Sequence, residues 1–170
     1  MTVIITKDDF SNVSRASQLT QRTNQFNMTT IRRSESQIKE LMSSPQHSVY
    51  TLRLLDRFGD NGIVGLAIVE HKGKEAVLET FLMSCRVIGR TVENAFLSWI
   101  GTESLKRGAS KLLALYRQTP KNAQFGEFYK SRGMFLDKEH TIDDTLRWYY
   151  NLAPNAHELQ IPPWIKIEGI

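Results

Sequence analysis

Apolar residues change their period several times along this chain of 170 residues, and each change marks an element. Thr2 to Thr6 alternates weakly and is rich in β-branched residues, which predicts a first strand, with Lys7-Asp8-Asp9 as turn and helix cap. Phe10, Val13, Ala16 and Leu19 then recur at spacing three among Ser, Asn, Arg and Gln, so a helix should lay one apolar stripe on a sheet. Ser34 and Gln37 stand in capping-box spacing ahead of a short second helix reaching Met42. Val49 to Phe58 and Ile63 to Glu70 read as a hairpin turning at Gly59-Asp60-Asn61-Gly62. Its second strand is apolar enough to be covered on both faces. A third strand, Ala76 to Val87, should place Val77, Glu79, Phe81, Met83 and Cys85 on one face.

The stretch FLMSCRVIGRTVE, Phe81 to Glu93, changes character part-way: it is strand-like up to Val87 and helical from Gly89. That helix should run to Lys106, burying Val92, Phe96, Trp99, Ile100 and Leu105, and stop at Gly108. Lys111 to Tyr116 is the next strand, so strand, helix and strand form a βαβ unit with a right-handed crossover. A helix from about Asn122 to Ser131 follows Pro120, and Met134 to Asp137 with Thr145 to Leu152 read as a last hairpin. From Ala153 the composition shifts. ELQIPPWIKIEGI, with two prolines, predicts an extended tail (153–170) packed on a domain of residues 1–152. The pattern predicts an α/β fold: a mixed, mostly antiparallel sheet of six or seven strands with helices on both faces.

Composition narrows the partners more than the fold. One hydrophobic core is expected at this length. The charge of +4 is scattered, without the basic stripe and interleaved aromatics of a nucleic-acid binder, and suits an acidic partner. A single cysteine, Cys85, excludes an internal disulfide and a Cys-rich zinc site and fits a reducing compartment. There is no signal-peptide pattern and no run of about 20 apolar residues, so the expectation is a soluble, cytoplasmic chain with no membrane contact. His47, His71, His140 and His157 lie far apart in apparent loops, and no metal is expected.

The chemistry centres on the switch point. Arg86, Gly89 and Thr91 fit the pattern Arg/Gln-x-x-Gly-x-Gly/Ala, with Thr in the last place, where a strand passes into a helix. A glycine there lets a phosphate approach the backbone, and the free N–H groups of a first helical turn stabilise its charge. Upstream, TNQFNMTT (23–30) is rich in amide and hydroxyl groups around one aromatic. It reads either as a capped turn between helices or as an acceptor-site loop presenting Asn24, Gln25, Phe26 and Asn27.

SCRVIGR resembles the pyrophosphate-binding motif of the GNAT superfamily of acyltransferases, which holds coenzyme A. The resemblance implies the GNAT fold, in which two neighbouring strands splay and the pantetheine arm adds between them like a short strand. It assigns Arg86, Val87, Gly89, Arg90, Thr91 and Asn122 to the cofactor, Tyr129 to protonating the leaving thiolate, and Glu79 to the general base. For Glu79 and Tyr129 the structural alternatives are an exposed sheet-edge residue and a packed helix aromatic. Cys85, one residue before the motif, is either a covalent acyl acceptor or a simple buried thiol.

Four blocks in one order, TNQFNMTT, DRFGDNGIVG, FLMSCRVIGR and KNAQFGEFYKSRGMF, resemble the C-terminal half of FkbH-like proteins, which load a glyceryl unit onto the phosphopantetheine thiol of an acyl carrier protein. Those proteins also carry a HAD-type half with an Asp-x-Asp-x-Thr loop that this sequence lacks. The implied chain is a free-standing homologue or an excised piece, with a HAD-type chain as possible partner. Three functions follow from the resemblance: transfer of an acyl group from a phosphopantetheine thioester on coenzyme A or a carrier protein, non-catalytic recognition of such a carrier, or N-acetylation of an amine or amino sugar.

Overall fold

The computed structural model describes residues 1–154 and 159–169. Eight strands make one sheet: β1 (Thr2–Lys7), β2 (His47–Asp56), β3 (Gly59–Lys72), β4 (Glu75–Met83), β5 (Lys111–Arg117), β6 (Phe135–Leu136), β7 (Thr145–Asn151) and β8 (Lys166–Glu168). Their order is β6-β7-β5-β4-β3-β2-β1-β8, and only β4–β5 and β1–β8 are parallel. The eighth strand comes from the expected tail, whose residues 155–158 and 170 lie outside the described residues. Among the described residues no helix is long and apolar enough to cross a membrane.

Helices cover both faces. On one, α1 (Val13–Arg22) and α2 (Glu35–Ser43) bury Val13, Ala16, Leu19, Ile38 and Met42 against Val49, Leu66, Ile68 and Leu82. Phe10 falls outside the stripe, in a 3₁₀ turn ahead of α1, and is 53% exposed. The capping box of α2 forms as its spacing predicts, with Gln37 N–H to Ser34 Oγ at 3.2 Å and Ser34 N–H to Gln37 Oε1 at 2.9 Å. On the other face, α3 (Val92–Lys106) and the single turn α4 (Phe128–Ser131) cover a larger core rich in rings.

Two irregularities in β4 position the site. Leu78 pairs with Val69 and Thr80 with Ile68, so Glu79 is an extra residue, a β-bulge. Side-chain phase flips there: Ala76 and Leu78 before it, and Phe81 and Met83 after it, all enter the same core. Glu79 therefore points to the α1–α2 face, away from Phe81 and Met83, contrary to the simple alternation. The second irregularity is a splay. β4 pairs with β5 only from Glu75↔Lys111 to Leu78↔Ala114, after which the two strands part.

Candidate functional site

The gap between the parted strands is filled by the chain itself. The Met28 N–H donates to Phe81 O at 3.0 Å, Met83 N–H to Phe26 O at 3.0 Å, and Arg117 N–H to Met28 O at 2.7 Å. Asn27 forms an antiparallel bridge with Leu82. Buried backbone groups need partners, and here residues 26–28 supply them to both strands. The ring of Phe26, 1% exposed, stands edge-on to Phe81, Phe125 and Phe128 with centroids 5.7, 4.8 and 5.1 Å away.

Several residues assigned to ligand are thereby committed elsewhere. Asn122 is buried; its Nδ2 donates to Asn27 O and Arg117 O, both at 2.9 Å, and its Oδ1 accepts from Thr119 N–H at 2.7 Å. It ties the inserted segment to β5 and has no donor left for a pantetheine. Asn27 bonds within its own loop, to Thr23 O and Thr30 N–H. Phe26 and Asn27 are thus interior, while Asn24 and Gln25 line an open cleft. Tyr129 is 1% exposed among Phe81 and Phe128, its hydroxyl has no partner, and burial pushes its pKa far up. The implied acid role needs this phenol to reach a ligand, and in this arrangement it is enclosed. Glu79 is no free base either: its Oε1 accepts from Arg33 at 2.8 Å. With His47 and Glu70 it offers ligand atoms within 4.8 Å of one another, but Glu70 is paired with Lys72, so two cations already balance the two carboxylates.

The motif after β4 keeps the form of an anion cradle but begins its helix later than expected. Cys85–Val87 is a 3₁₀ turn, Gly89 takes φ +79°, Thr91 takes φ +65°, and α3 starts at Val92. A side chain at Gly89 would meet nothing within 4 Å, but its positive φ favours glycine. Val87 is buried in the core, and Arg90 is paired with Asp56 at 2.5 Å. Thr91 Oγ1 accepts from Trp164 Nε1 at 2.9 Å, so the C-terminal segment leans on the loop. Glu93, 9% exposed, sits in the first turn of α3, where burial raises its pKa and the backbone N–H groups of Glu93, Gly89 and Thr91 oppose the rise.

The open site is on the opposite side of β4. A cleft of about 380 Å³ is lined by Arg15, Gln18, Arg22, Asn24, Gln25, Phe26, Ser84 and Cys85, with no carboxylate among the described lining residues. Arg15 and Arg86 also line the adjoining cavity beside Asn61 and Gly62. Arg86 reaches back toward Ser84 Oγ and Asn61 O at 3.5 and 3.4 Å instead of over the loop amides. Burial, then the neighbouring Arg86 and Arg22, push the pKa of Arg15 below its ordinary value. Guanidinium groups that raise one another's energy are relieved by an anion between them. The Cys85 thiol is exposed in this cleft. The spacing of Arg15 and Arg22 on α1 signalled a polar helix face, and nothing local to it pointed toward Cys85.

Taken together, a splayed eight-stranded mixed sheet, a bulge in β4 and a glycine loop before α3 define the GNAT fold. Solved structures sharing it include the ribosomal-protein-S18-alanine N-acetyltransferase from Escherichia coli, with TM-score 0.66 and 16% identity over 91% of this chain and 97% of that one. PaiA N-acetyltransferase from Thermoplasma acidophilum, solved in complex with coenzyme A, has TM-score 0.68 and 11% identity over 89% and 99%. The GNAT domain of S. lividans PAT has TM-score 0.67 and 15% identity over 87% and 89%. No family model matches the sequence, and no curated protein matches it.

Against that fold family, the fit of coenzyme A is poor. Phe26 to Met28 stand where an inserted arm would pair, and the buried carboxylate of Glu93 stands in the first helical turn beside the glycine loop.

Proposed function

We propose that this chain is an acyltransferase of the GNAT fold that works in the arginine-lined cleft, with Cys85 as the acyl-carrying residue and a phosphopantetheine thiol on a carrier protein as its exchange partner. The observation that carries the reading is the exposed Cys85 thiol in a cleft bounded by Arg15 and Arg22 and free of carboxylate.

In this reading the Cys85 thiolate attacks the thioester carbonyl, the carbon–sulfur bond to pantetheine breaks, and the departing thiolate takes up a proton. The acyl group then rests on Cys85 until an acceptor nucleophile attacks it and restores the thiol. Arg15, Arg22 and Arg86 offset the negative charge of the tetrahedral intermediates and attract the 4′-phosphate of the arm. Asn24 and Gln25 offer neutral hydrogen bonds to the acyl group.

The test is incubation of the chain with acetyl-, malonyl- or glyceryl-phosphopantetheine on a carrier protein, followed by intact-mass measurement. An added acyl mass in wild type that is missing in Cys85→Ser is the expected result. Wild type that stays unmodified with all three donors rules the reading out. A second reading, a module that binds such a carrier without catalysis, is favoured by the buried Tyr129 and the filled slot. It predicts carrier binding that Cys85→Ser leaves unchanged and no acyl mass on either protein. N-acetylation from coenzyme A is the reading least suited to the filled slot.

A further inference from the structure

We propose that the chain carries its own occupant of the thioester slot, and that Phe26, Asn27, Met28 and Glu93 act as specificity residues that keep coenzyme A out of it. Two separate pieces of chain replace two separate parts of that ligand.

The first replacement is a strand. Past Leu78 and Ala114 the edges of β4 and β5 would each present unpaired backbone groups to the gap. Phe81 O, Met83 N–H and Arg117 N–H are all taken by Phe26 and Met28, so an entering arm would find no backbone group free at those positions. The ring of Phe26 packs against β4 and against Phe125 and Phe128 beside α4, in the space an arm would need. This is not a loosely lying loop. Asn27 is locked to Thr23 O and Thr30 N–H, Thr29 Oγ1 donates to Glu79 O at 2.8 Å, Asn122 holds Asn27 O, and Arg32 donates to Thr20 O and to Thr23 O. Displacing the segment would break these bonds together and expose a buried phenylalanine to water.

The second replacement is a charge. The backbone N–H groups of Gly89 and Thr91 are the donors that make a glycine loop an anion cradle. The Glu93 carboxylate is buried in the first turn of α3, two residues past Thr91. Its Oε2 is buried without a hydrogen-bond partner. A diphosphate entering here would meet a buried carboxylate beside the same loop and be repelled by it whenever Glu93 is ionised. The cleft at Cys85 lies outside the slot, so a carrier-borne arm can reach the thiol from the α1 face while coenzyme A finds neither anchor.

The exclusion is tested by binding alone, so it stands or falls apart from any role of Cys85. Coenzyme A and acetyl-coenzyme A are titrated into the whole chain by calorimetry, with hydrogen exchange followed at the amides of Met28, Met83 and Arg117. The expected result is no binding heat up to about 1 mM ligand and unchanged protection at all three amides. A Kd tighter than about 100 μM with loss of protection at Met28 and Arg117 overturns the proposal, because the ligand would then have displaced the strand. Glu93→Gln keeps the shape of the side chain and removes the charge, and it too should bind nothing while the strand remains. Binding by that variant with Met28 still protected would overturn the assignment of the strand as an excluding element.

Discussion

The Met28 N–H and the Phe81 carbonyl meet at 3.0 Å, and that bond joins a loop after α1 to the central strand just where β4 parts from β5. Most of the candidate site follows from it. The loop expected to face a substrate becomes part of the sheet, the ring of Phe26 closes the aromatic core, and Tyr129 is shut behind it. A cleft stays open on the α1 side, where Cys85 stands among arginines.

Arg22 is exposed and lines the cleft, and its side chain makes no hydrogen bond or ion pair among the described residues. Arg22→Gln should therefore leave the thermal midpoint unchanged while slowing acylation of Cys85 about tenfold, the effect of losing roughly 1.4 kcal/mol of charge stabilisation. Rates are read by intact mass against time. An unchanged rate removes Arg22 from the site.

Tyr129→Phe removes a buried hydroxyl that has no partner and keeps the ring. Stability should hold or rise slightly, since an unpartnered buried polar group is a cost. Acyl transfer should be unaffected. A loss of about a hundredfold in turnover with unchanged folding would restore the tyrosine as the proton donor and show that the slot opens in use.

Asn122→Ala strips partners from Thr119 N–H, Asn27 O and Arg117 O at once. The expected loss is about 1–3 kcal/mol in urea unfolding, with faster exchange at the Arg117 amide as the inserted segment loosens. A loss under about 0.5 kcal/mol would show that the tie is dispensable.

Glu93 gives a pH dependence whose direction can be stated. Burial raises its folded pKa above the ordinary 4.5. Below pH 4.5 the carboxyl is neutral in folded and unfolded chains alike and costs nothing. As pH rises through the folded value the charged form must be held in a buried place, and stability is lost. Glu93→Gln should therefore raise the thermal midpoint at pH 7 and give no gain at pH 4. A gain of equal size at both pH values would assign the effect to packing.

Much of this molecule was legible along the chain. The stripe of Val13, Ala16 and Leu19, the Ser34–Gln37 capping box, the hairpin of β2 and β3 and the strand–loop–helix at Phe81 to Glu93 all arise from interactions within a few residues, although that hairpin turns at Arg57 and Phe58 and residues 59–62, expected as its turn, belong to β3. Such interactions leave a period or a spacing in the sequence, and the glycine at position 89 marks a positive φ that other residues rarely adopt. The α/β class and the splay between β4 and β5 followed from the same local signs together with the resemblance they supported.

The arrangement of the candidate site was set by contacts between distant segments. Alternation put Glu79 beside Phe81, and a bulge set by pairing with Ile68 and Val69 moved it to the other face. The amide-rich residues 23–30 carry the same composition whether they bind a ligand or bond to the protein's own backbone. Only the parting of β4 from β5 supplied the unpaired groups that drew Phe26 and Met28 inward. Arg15, Arg22 and Cys85 likewise became one cleft because α1 packs across the face of the sheet on which β4 ends. Periodicity records which face of an element is buried, whereas register, bulges and strand insertion depend on partners far away in sequence. The tertiary structure alone decided those.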